Sequence, residues 1–401
     1  MRKILLLGGS AQQIIAIETA KRLGYYTVLC DYLTDNPGQY HADKFYLIST
    51  TDKEAVLETA QEEKIDGVIA YASDPAALTA AYVAEKMELP GNLFESVEIL
   101  CNKDRFRKFL RQNGFNAPKS FCFEKADDVK LRIKEFDFPV IIKPVDSSGS
   151  KGVTVLKELV CLEDAVELAF SFSRSHRIIV EEFIEKDHPY LIGGDIFVEQ
   201  GRIILWGLLN CHRDDSVNSL VPVGKSYPLA VNKSDIDNVK ITLQEIIDKL
   251  QIKSCGMNVE LIVDKRGKVW PIDIGPRNGG NMIPDLLGMI YGVDMVEMAV
   301  KSAMGEVIDV KPSEGKLFYA THNLHSDRRG IFKGIRYSNE LEKFIVKKCE
   351  YKNPGERIER FDNASYVLGI IFLKFPSNQK MIEMLKQINL HIKVCVWDEG
   401  N

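Results

Sequence analysis

Residues 255–281 read CGMNVELIVDKRGKVWPIDIGPRNGGN. Val259 to Asp264 and Lys268 to Ile274 are apolar, β-branched runs, and Lys265-Arg266-Gly267 between them is a turn, so the stretch predicts a β-hairpin. A two- or four-residue loop pairs Glu260 with Asp273; a three-residue loop with a glycine bulge moves the pairing by one. Directly opposed side chains sit about 5 Å apart. Two carboxylates at that range repel by roughly 3 kcal/mol at an effective dielectric near 20. A cation between them removes the conflict, and two hard oxygen ligands suit Mg²⁺ with bound phosphate. The plain alternative is a hairpin whose acids face solvent at opposite strand ends. The glycine-rich loop after the hairpin carries one fixed cation, Arg277, suited to neutralising charge on a phosphoryl group in transfer.

At 401 residues the chain exceeds one ordinary core, and two or three domains are expected. A net charge of -5 argues against a nucleic-acid or anionic-membrane surface. The eight cysteines are scattered without C-x-x-C spacing, which favours reduced thiols in a cytoplasmic protein over a disulfide framework or zinc site. No stretch approaches the length of a membrane span.

The first 90 residues alternate strands (3–7, 26–30, 44–48, 66–71) with helices (11–23, 53–63, 75–87), the pattern of an open parallel sheet. Gly8-Gly9-Ser10 and Asp31 lack the G-x-G-x-x-G spacing of a dinucleotide site, although an anion at the helix start stays open. Ser73-Asp74-Pro75 sits at the sheet's ligand-facing edge and reads either as a substrate contact or as a helix cap.

After the break at Leu89-Pro90-Gly91-Asn92, residues 95–113 predict one helix carrying Asn102-Lys103-Asp104 and an amphipathic face through Phe106, Phe109 and Leu110. Lys103 alone reads as a solvated surface lysine. Lys143 lies inside the apolar strand FPVIIKP, which does not tolerate it without an anionic partner. Ser147-Ser148-Gly149-Ser150-Lys151-Gly152 is either a mobile hairpin loop or a phosphate cradle of backbone N–H groups, hydroxyls and Lys151. Its position after Ile-Lys-Pro favours the cradle.

The strand 178–184 ends Glu181-Glu182-Phe183-Ile184 and offers an apolar slot with backbone donors and acceptors for an adenine ring. Asp187 beyond it is either a ribose contact or a solvated acid. Arg213, at the end of a second, antiparallel set of strands, could clamp a substrate carboxylate, with a surface pair to Asp214 or Asp215 as the simpler reading. Residues 235–250 predict an amphipathic helix, and short strands from about Gly305 predict a smaller β-rich tail.

The order of parts is more specific than any one of them. It runs from a βαβ domain through N-K-x-x-F, V-I-I-K-P, the Gly/Ser loop and E-E-F-I to the acid-bearing hairpin, D-I-G-P-R-x-G-G and the β-rich tail. This resembles the ATP-grasp superfamily of carboxylate–amine ligases over essentially the whole chain. The resemblance implies an α/β and α+β protein with an N-terminal open parallel sheet over 1–93, a two-lobed ATP-grasp domain over 94–305 and a β-rich C-terminal domain over 306–401.

The resemblance further implies roles. Lys103 and Lys143 would contact ATP phosphates, with Lys143 also on the adenine side. Ser147 to Gly152 would form the flap over the phosphates, and Glu181, Glu182, Phe183 and Ile184 the hinge that reads adenine, with Asp187 near the ribose. Glu260 and Asp273 would hold Mg²⁺, with Mn²⁺ as the alternative ion, and Arg277 would steady an acyl phosphate. The implied reaction activates a small-molecule carboxylate and joins it to an amine, releasing ADP and phosphate, with an amino-acid ligase as the leading reading. A phosphoribosylglycinamide-synthetase-like enzyme and a nucleotide-binding module without turnover are the alternatives, and a homodimer stays open. One departure stands out: many relatives read E-I-N-P-R where this chain has Asp273-Ile274-Gly275-Pro276-Arg277, so Gly275 cannot supply the asparagine oxygen.

Overall fold

The computed structural model describes residues 1–315 and 317–397. Lys3–Leu7 (β1), Ile14–Arg22 (α1), Tyr26–Asp31 (β2), Lys44–Leu47 (β3), Lys53–Glu63 (α2), Gly67–Ile69 (β4) and Asp74–Lys86 (α3) build the first layer. The strands form a parallel sheet in the order β3-β2-β1-β4. The sequence of β1, KILLL, has no polar alternation because Ile4 to Leu7 are all buried, as expected of a parallel strand covered on both faces.

The chain then enters Phe94–Cys101 (α4) and Lys103–Gln112 (α5). The single helix expected over 95–113 is broken at Asn102, whose backbone is extended at φ -117° and ψ 112°. The break frees the Lys103 N–H to donate to the Val145 carbonyl at 3.1 Å. Asn102 spends its own amide on the Glu98 carbonyl. Lys103 thereby becomes the first residue of a helix instead of a point on its side.

Ser120–Phe123 (β5), Ala126–Arg132 (α6), Val140–Pro144 (β6), Thr154–Leu156 (β7), Leu162–Ser171 (α7) and Ile178–Glu182 (β8) make a small lobe, its antiparallel sheet ordered β5-β8-β6-β7. The larger lobe contains Leu191–Glu199 (β9), Arg202–Asp214 (β10), Asn218–Tyr227 (β11), Lys233–Leu250 (α8), Cys255–Val263 (β12), Val269–Gly275 (β13), Ile283–Tyr291 (α9) and Met295–Ala303 (α10). Helix α8 starts where the Asn232 side chain accepts from the Asp235 N–H and buries Val239, Leu243, Ile246, Ile247 and Leu250, the spacing of one apolar face. That face packs in one cluster with Ile192, Ile196, Val259 and Leu261 of the sheet and with Phe106, Phe109 and Leu110 of α5.

The tail supplies Phe318–Leu324 (β14), Gly330–Tyr337 (β15), Ile345–Glu350 (β16), Arg357–Ile358 (β17), Gly369–Phe375 (β18) and Ile392–Trp397 (β19). It is β-rich, and three of its strands extend the sheet of the large lobe, whose order is β13-β12-β9-β10-β11-β14-β18-β16. The rest form a separate sheet, β17-β15-β19. No helix among the described residues is long and apolar enough to cross a membrane.

Candidate active site

The hairpin β12–β13 pairs Glu260 with Asp273, but it reaches that register by two compensating steps. The turn is the three-residue form: the Asp264 N–H donates to the Lys268 carbonyl, and Gly267 sits at φ +71°, a conformation glycine adopts without cost. Val263 then faces Val269 and Leu261 faces Pro271, which would leave Ile272 opposite Glu260. A bulge between Glu260 and Leu261 takes up the extra residue and returns Asp273 to face Glu260. Bulges re-aim side chains in this way beside functional sites.

At the bulge, on the edge strand of the sheet, a buried arginine takes the backbone carbonyls of Pro271 and Ile272. Arg107 of α5, with no exposed surface, donates from Nη2 to the Ile272 carbonyl at 2.7 Å and from Nη1 to that of Pro271 at 3.5 Å. Its Nε and Nη2 also grip Glu181 Oε1 and Oε2 at 2.7 and 3.3 Å. Lys143 Nζ lies 2.5 Å from Glu181 Oε2. The Glu181 carboxylate of the small lobe is therefore tied to the metal-type hairpin through Arg107, with Lys143 of the same lobe as its second buried cation. Burial alone would raise the Glu181 pKa; Arg107 and Lys143 outweigh it and hold the carboxyl at about 2. Burial pushes the Lys143 ammonium below its ordinary value, and Glu181 opposes that shift.

Lys103 donates to the Ser147 carbonyl at 2.9 Å and stands 3.6 Å from Asp273 Oδ2. A cavity of about 200 Å³ opens there, lined among others by Asp74, Lys103, Asp146, Ser147, Ser148 and Asp273. Asp273 is raised by burial, but Lys103, Lys143, Arg107 and Arg277 lower it further, so its carboxyl ionises more readily than usual. The loop over this cavity is held at its tip by Ser150, whose hydroxyl donates to the Leu220 carbonyl at 2.8 Å. Gly149, Ser150 and Gly152 all have positive φ. Lys151 is half-buried, and its side chain makes no hydrogen bond or ion pair among the described residues.

The segment after β8 runs past the hairpin. The Glu182 carboxylate accepts from the Lys119 N–H at 2.8 Å, and the Phe183 N–H donates to the Pro139 carbonyl. Phe183 is 38% exposed, enough for a flat ring to lie against it. Ile184 is half-buried; Asp187 is exposed, and its N–H donates to the Val263 carbonyl at 2.9 Å. Arg213 reaches the hairpin instead of its acidic neighbours, with Nη2 3.8 Å from Glu260 Oε1.

Arg277 turns back toward the first layer. Its Nη2 pairs with Asp74 Oδ2 and its Nη1 donates to the Asn278 carbonyl, while Nε is buried without a partner. Burial would lower its pKa, but the Asp74 carboxylate raises it. Ser73 makes no side-chain cap to α3, so of this triplet Asp74 is the residue turned toward the site. The contact depends on Gly275: a Cβ there would lie 2.8 Å from Asp74 Oδ1.

Lys103, Asp273, Ser147 and Ser148 line one cavity, Glu260 pairs with Asp273 and has Arg213 beside it, while Lys143 is engaged by Glu181 and Arg277 by Asp74 at its margin. Two opposed carboxylates flanked by four cations suit a divalent ion carrying phosphate, whose remaining ligands would be phosphate and water oxygens. No group of three or more His, Cys, Asp or Glu ligands exists among the described residues. Sequence reasoning missed Arg107 and Asp195. Arg107 lies at i+4 from Lys103 and i−3 from Leu110, on the apolar stripe, where an arginine signals a buried partner. Asp195 is fully buried and accepts from Asn258 Nδ2 and the Gly279 N–H, both at 2.8 Å, fixing the loop that carries Arg277.

Residues 136–285 match the ATP-grasp domain family. The chain is 23% identical over 300 residues to the carbamoyl phosphate synthase large chain of Clostridium acetobutylicum, covering 71% of this chain and 26% of that protein. It is 32% identical over 192 residues to the formate-dependent phosphoribosylglycinamide formyltransferase of Prochlorococcus marinus, covering 46% of this chain and 49% of that protein. It therefore spans about a quarter of the first relative and half of the second. Among solved structures it resembles L-amino acid ligase from Bacillus licheniformis (TM-score 0.80, 19% identity, 99% of each chain). It also resembles phosphoribosylglycinamide synthetase from Anaerococcus prevotii (TM-score 0.76, 23% identity, 99% of this chain and 100% of that one). The chain therefore carries an ATP-grasp domain at its centre, over residues 136–285, and has the fold of these solved structures over its length.

Proposed function

We propose that the protein is an ATP- and Mg²⁺-dependent ligase that activates a carboxylate as an acyl phosphate and joins it to an amine, with an amino acid as the leading substrate class. The observation that carries this reading is the pairing of Glu260 with Asp273 beside Lys103. In this reading Mg²⁺ held by these two acids supplies charge neutralisation at the transferred phosphoryl group. Lys103 and Lys143 hold phosphates, and Lys143 also borders the adenine side. The loop from Ser147 to Gly152, with Lys151, closes over the phosphates. The Glu181 carboxylate is already engaged, so Glu181 to Ile184 would read adenine through backbone groups and the Phe183 face, with Asp187 toward the ribose. Arg213 orients the acid and Arg277 steadies the charge that develops on it. Catalysis on these terms is positioning and electrostatics. The same reading takes the domain limits as 1–93, 94–305 and 306–401 and a cytoplasmic setting.

A phosphoribosyl substrate would need a second phosphate site, and the Gly8-Gly9-Ser10 turn is poorly suited to one. Its three N–H groups already donate to the Cys30 carbonyl, Asp31 Oδ2 and Gln13 Oε1 at 2.9, 2.7 and 2.9 Å. A phosphate there would displace these bonds and face the Asp31 carboxylate. Ribose 5-phosphate compounds are therefore expected not to bind; calorimetric binding that is lost in Gly9→Glu would overturn this and favour the purine-type enzyme.

The primary test is ADP release with Mg-ATP and pooled amino acids, with hydroxylamine trapping the acyl phosphate. Hydroxamate is expected with one carboxylate only, and Glu260→Gln should raise the Mg²⁺ requirement about tenfold, the worth of 1.4 kcal/mol of binding. Tight ATP binding without ADP release across a broad panel of acids would instead establish a nucleotide-binding module.

A further inference from the structure

Lys225 is buried, with 6% of its surface exposed, and has no carboxylate within ion-pair range among the described residues. The hydrogen bond its ammonium makes is to the Cys211 thiol, 3.1 Å away. A buried ammonium without an anion is unfavourable by several kcal/mol, so a chain under no other demand would not keep it.

Its placement says what it serves. Directly paired residues of a sheet project to the same face. Asp273, Glu260, Gly193 and Leu209 are paired in succession across β13, β12, β9 and β10. Lys225 pairs with Cys211 on β10, two residues beyond Leu209, so it projects to the face that carries both acids. It then crosses over β10: its Nζ lies 2.8 Å from the point where a Cβ on Gly193 would stand. Gly193 is the β9 residue directly beside Glu260, about one strand spacing, roughly 5 Å, from the metal-type pair. The missing side chain at 193 makes the room. Arg213 joins from the strand end, with Nη1 donating to the same Cys211 thiol at 3.3 Å and Nη2 near Glu260. Two cations thus share one thiol, with only Arg213 beside a carboxylate, and a divalent ion on Glu260 would leave both without a counter-charge.

We propose that Lys225, steered by Cys211 across the bare backbone of Gly193, forms with Arg213 a binding subsite for the carboxylate of the acid substrate. This rests on the ligase reading above and adds to it the residue that selects for an acid.

The test uses two variants of the full chain. Lys225→Met removes the charge. Gly193→Ala keeps it but places a methyl 2.8 Å from the present Nζ, too close for it to stay; that methyl's next neighbours, Val259 O and Cys211 Cβ, are at 3.5 and 3.6 Å, ordinary contact. Both should raise KM for the acid about 10- to 100-fold, the range of one hydrogen bond to a charged group, with KM for ATP unchanged. Without ligand, Lys225→Met should melt about 2 °C or more above the wild type, because an uncompensated charge has gone. An equal loss of affinity for ATP and acid, or a fall in melting temperature in Lys225→Met, would show a structural lysine and overturn the proposal. Absence of hydroxamate from the wild type is a separate result that removes the ligase reading. In that case the melting shift given by acetate, glycine and succinate with Mg-ADP decides: loss in Lys225→Met supports an anion subsite, and equal shifts in both proteins refute it.

Discussion

Replacing Arg107 by leucine is expected to lower stability by about 3–5 kcal/mol, the usual consequence of removing one partner from a buried ion cluster. The guanidinium makes four hydrogen bonds to three groups, namely the Glu181 carboxylate and the Pro271 and Ile272 carbonyls. Leucine would leave the carbonyls of the bulge unsatisfied and Glu181 with Lys143 alone. Lysine should not rescue, because its ammonium cannot present a planar fork to carboxylate and backbone together. Equilibrium unfolding in urea measures the loss, and a change below 1 kcal/mol would mean the cluster is dispensable. The same cluster predicts acid sensitivity. Glu181 is depressed from the ordinary carboxylate value near 4.5 to about 2. Its contribution is therefore full above about pH 4.5 and disappears as pH falls from there through about 2. In Arg107→Leu that part of the pH profile should shrink.

Gly275→Asn, the asparagine that the family resemblance leads one to expect there, is expected to reduce turnover about a hundredfold or more. A Cβ at 275 would stand 2.8 Å from Asp74 Oδ1 and 3.3 Å from the Arg277 Cζ, closer than such atoms pack. Asp74 would be driven off Arg277, whose Nε already lacks a partner, and the guanidinium would lose its orientation. A misplacement of about 1 Å at a reacting centre costs on the order of 10²-fold. Asp74→Asn should give a loss in the same direction through the same contact. The two changes together should then be no worse than Gly275→Asn alone, a non-additivity expected of residues that share one interaction. Full additivity in kcat would show that Asp74 and Gly275 act independently. The loss should fall on kcat, with ATP affinity measured by calorimetry unchanged.

Much of this was legible in the sequence, and the reasons it was legible differ by residue. The apolar runs on either side of Lys265-Arg266-Gly267 set the hairpin, because strand composition and a turn glycine are local signals. The Glu260–Asp273 register was not decided by them, since the turn and the bulge shift it in opposite directions. Pro271 was the available hint: a proline inside a strand marks an edge or a bulge, and β13 is both. Lys225 left a trace as well, standing at the same parity as the buried Val221 and Val223. Asp74 was legible only as part of a triplet at the sheet's ligand-facing edge; its pairing with Arg277 was not, because that partner lies 203 residues away and only the fold brings the two together. The helix break at Asn102 likewise depends on Val145, a contact that no helix propensity could report.

The eight-stranded sheet has a practical consequence for anyone dividing this protein. Strand β14 hydrogen-bonds along β11 through Gly224, Lys225, Ser226 and Tyr227. A fragment ending at Gly305 would retain the matched ATP-grasp region yet uncover a row of unpaired N–H and C=O groups on β11, the kind of open edge that recruits other chains. Such a fragment should self-associate, and it would do so at the strand that carries Lys225. The tail thus covers an edge of the sheet that would otherwise lie open, and any fragment made without it would lose that cover.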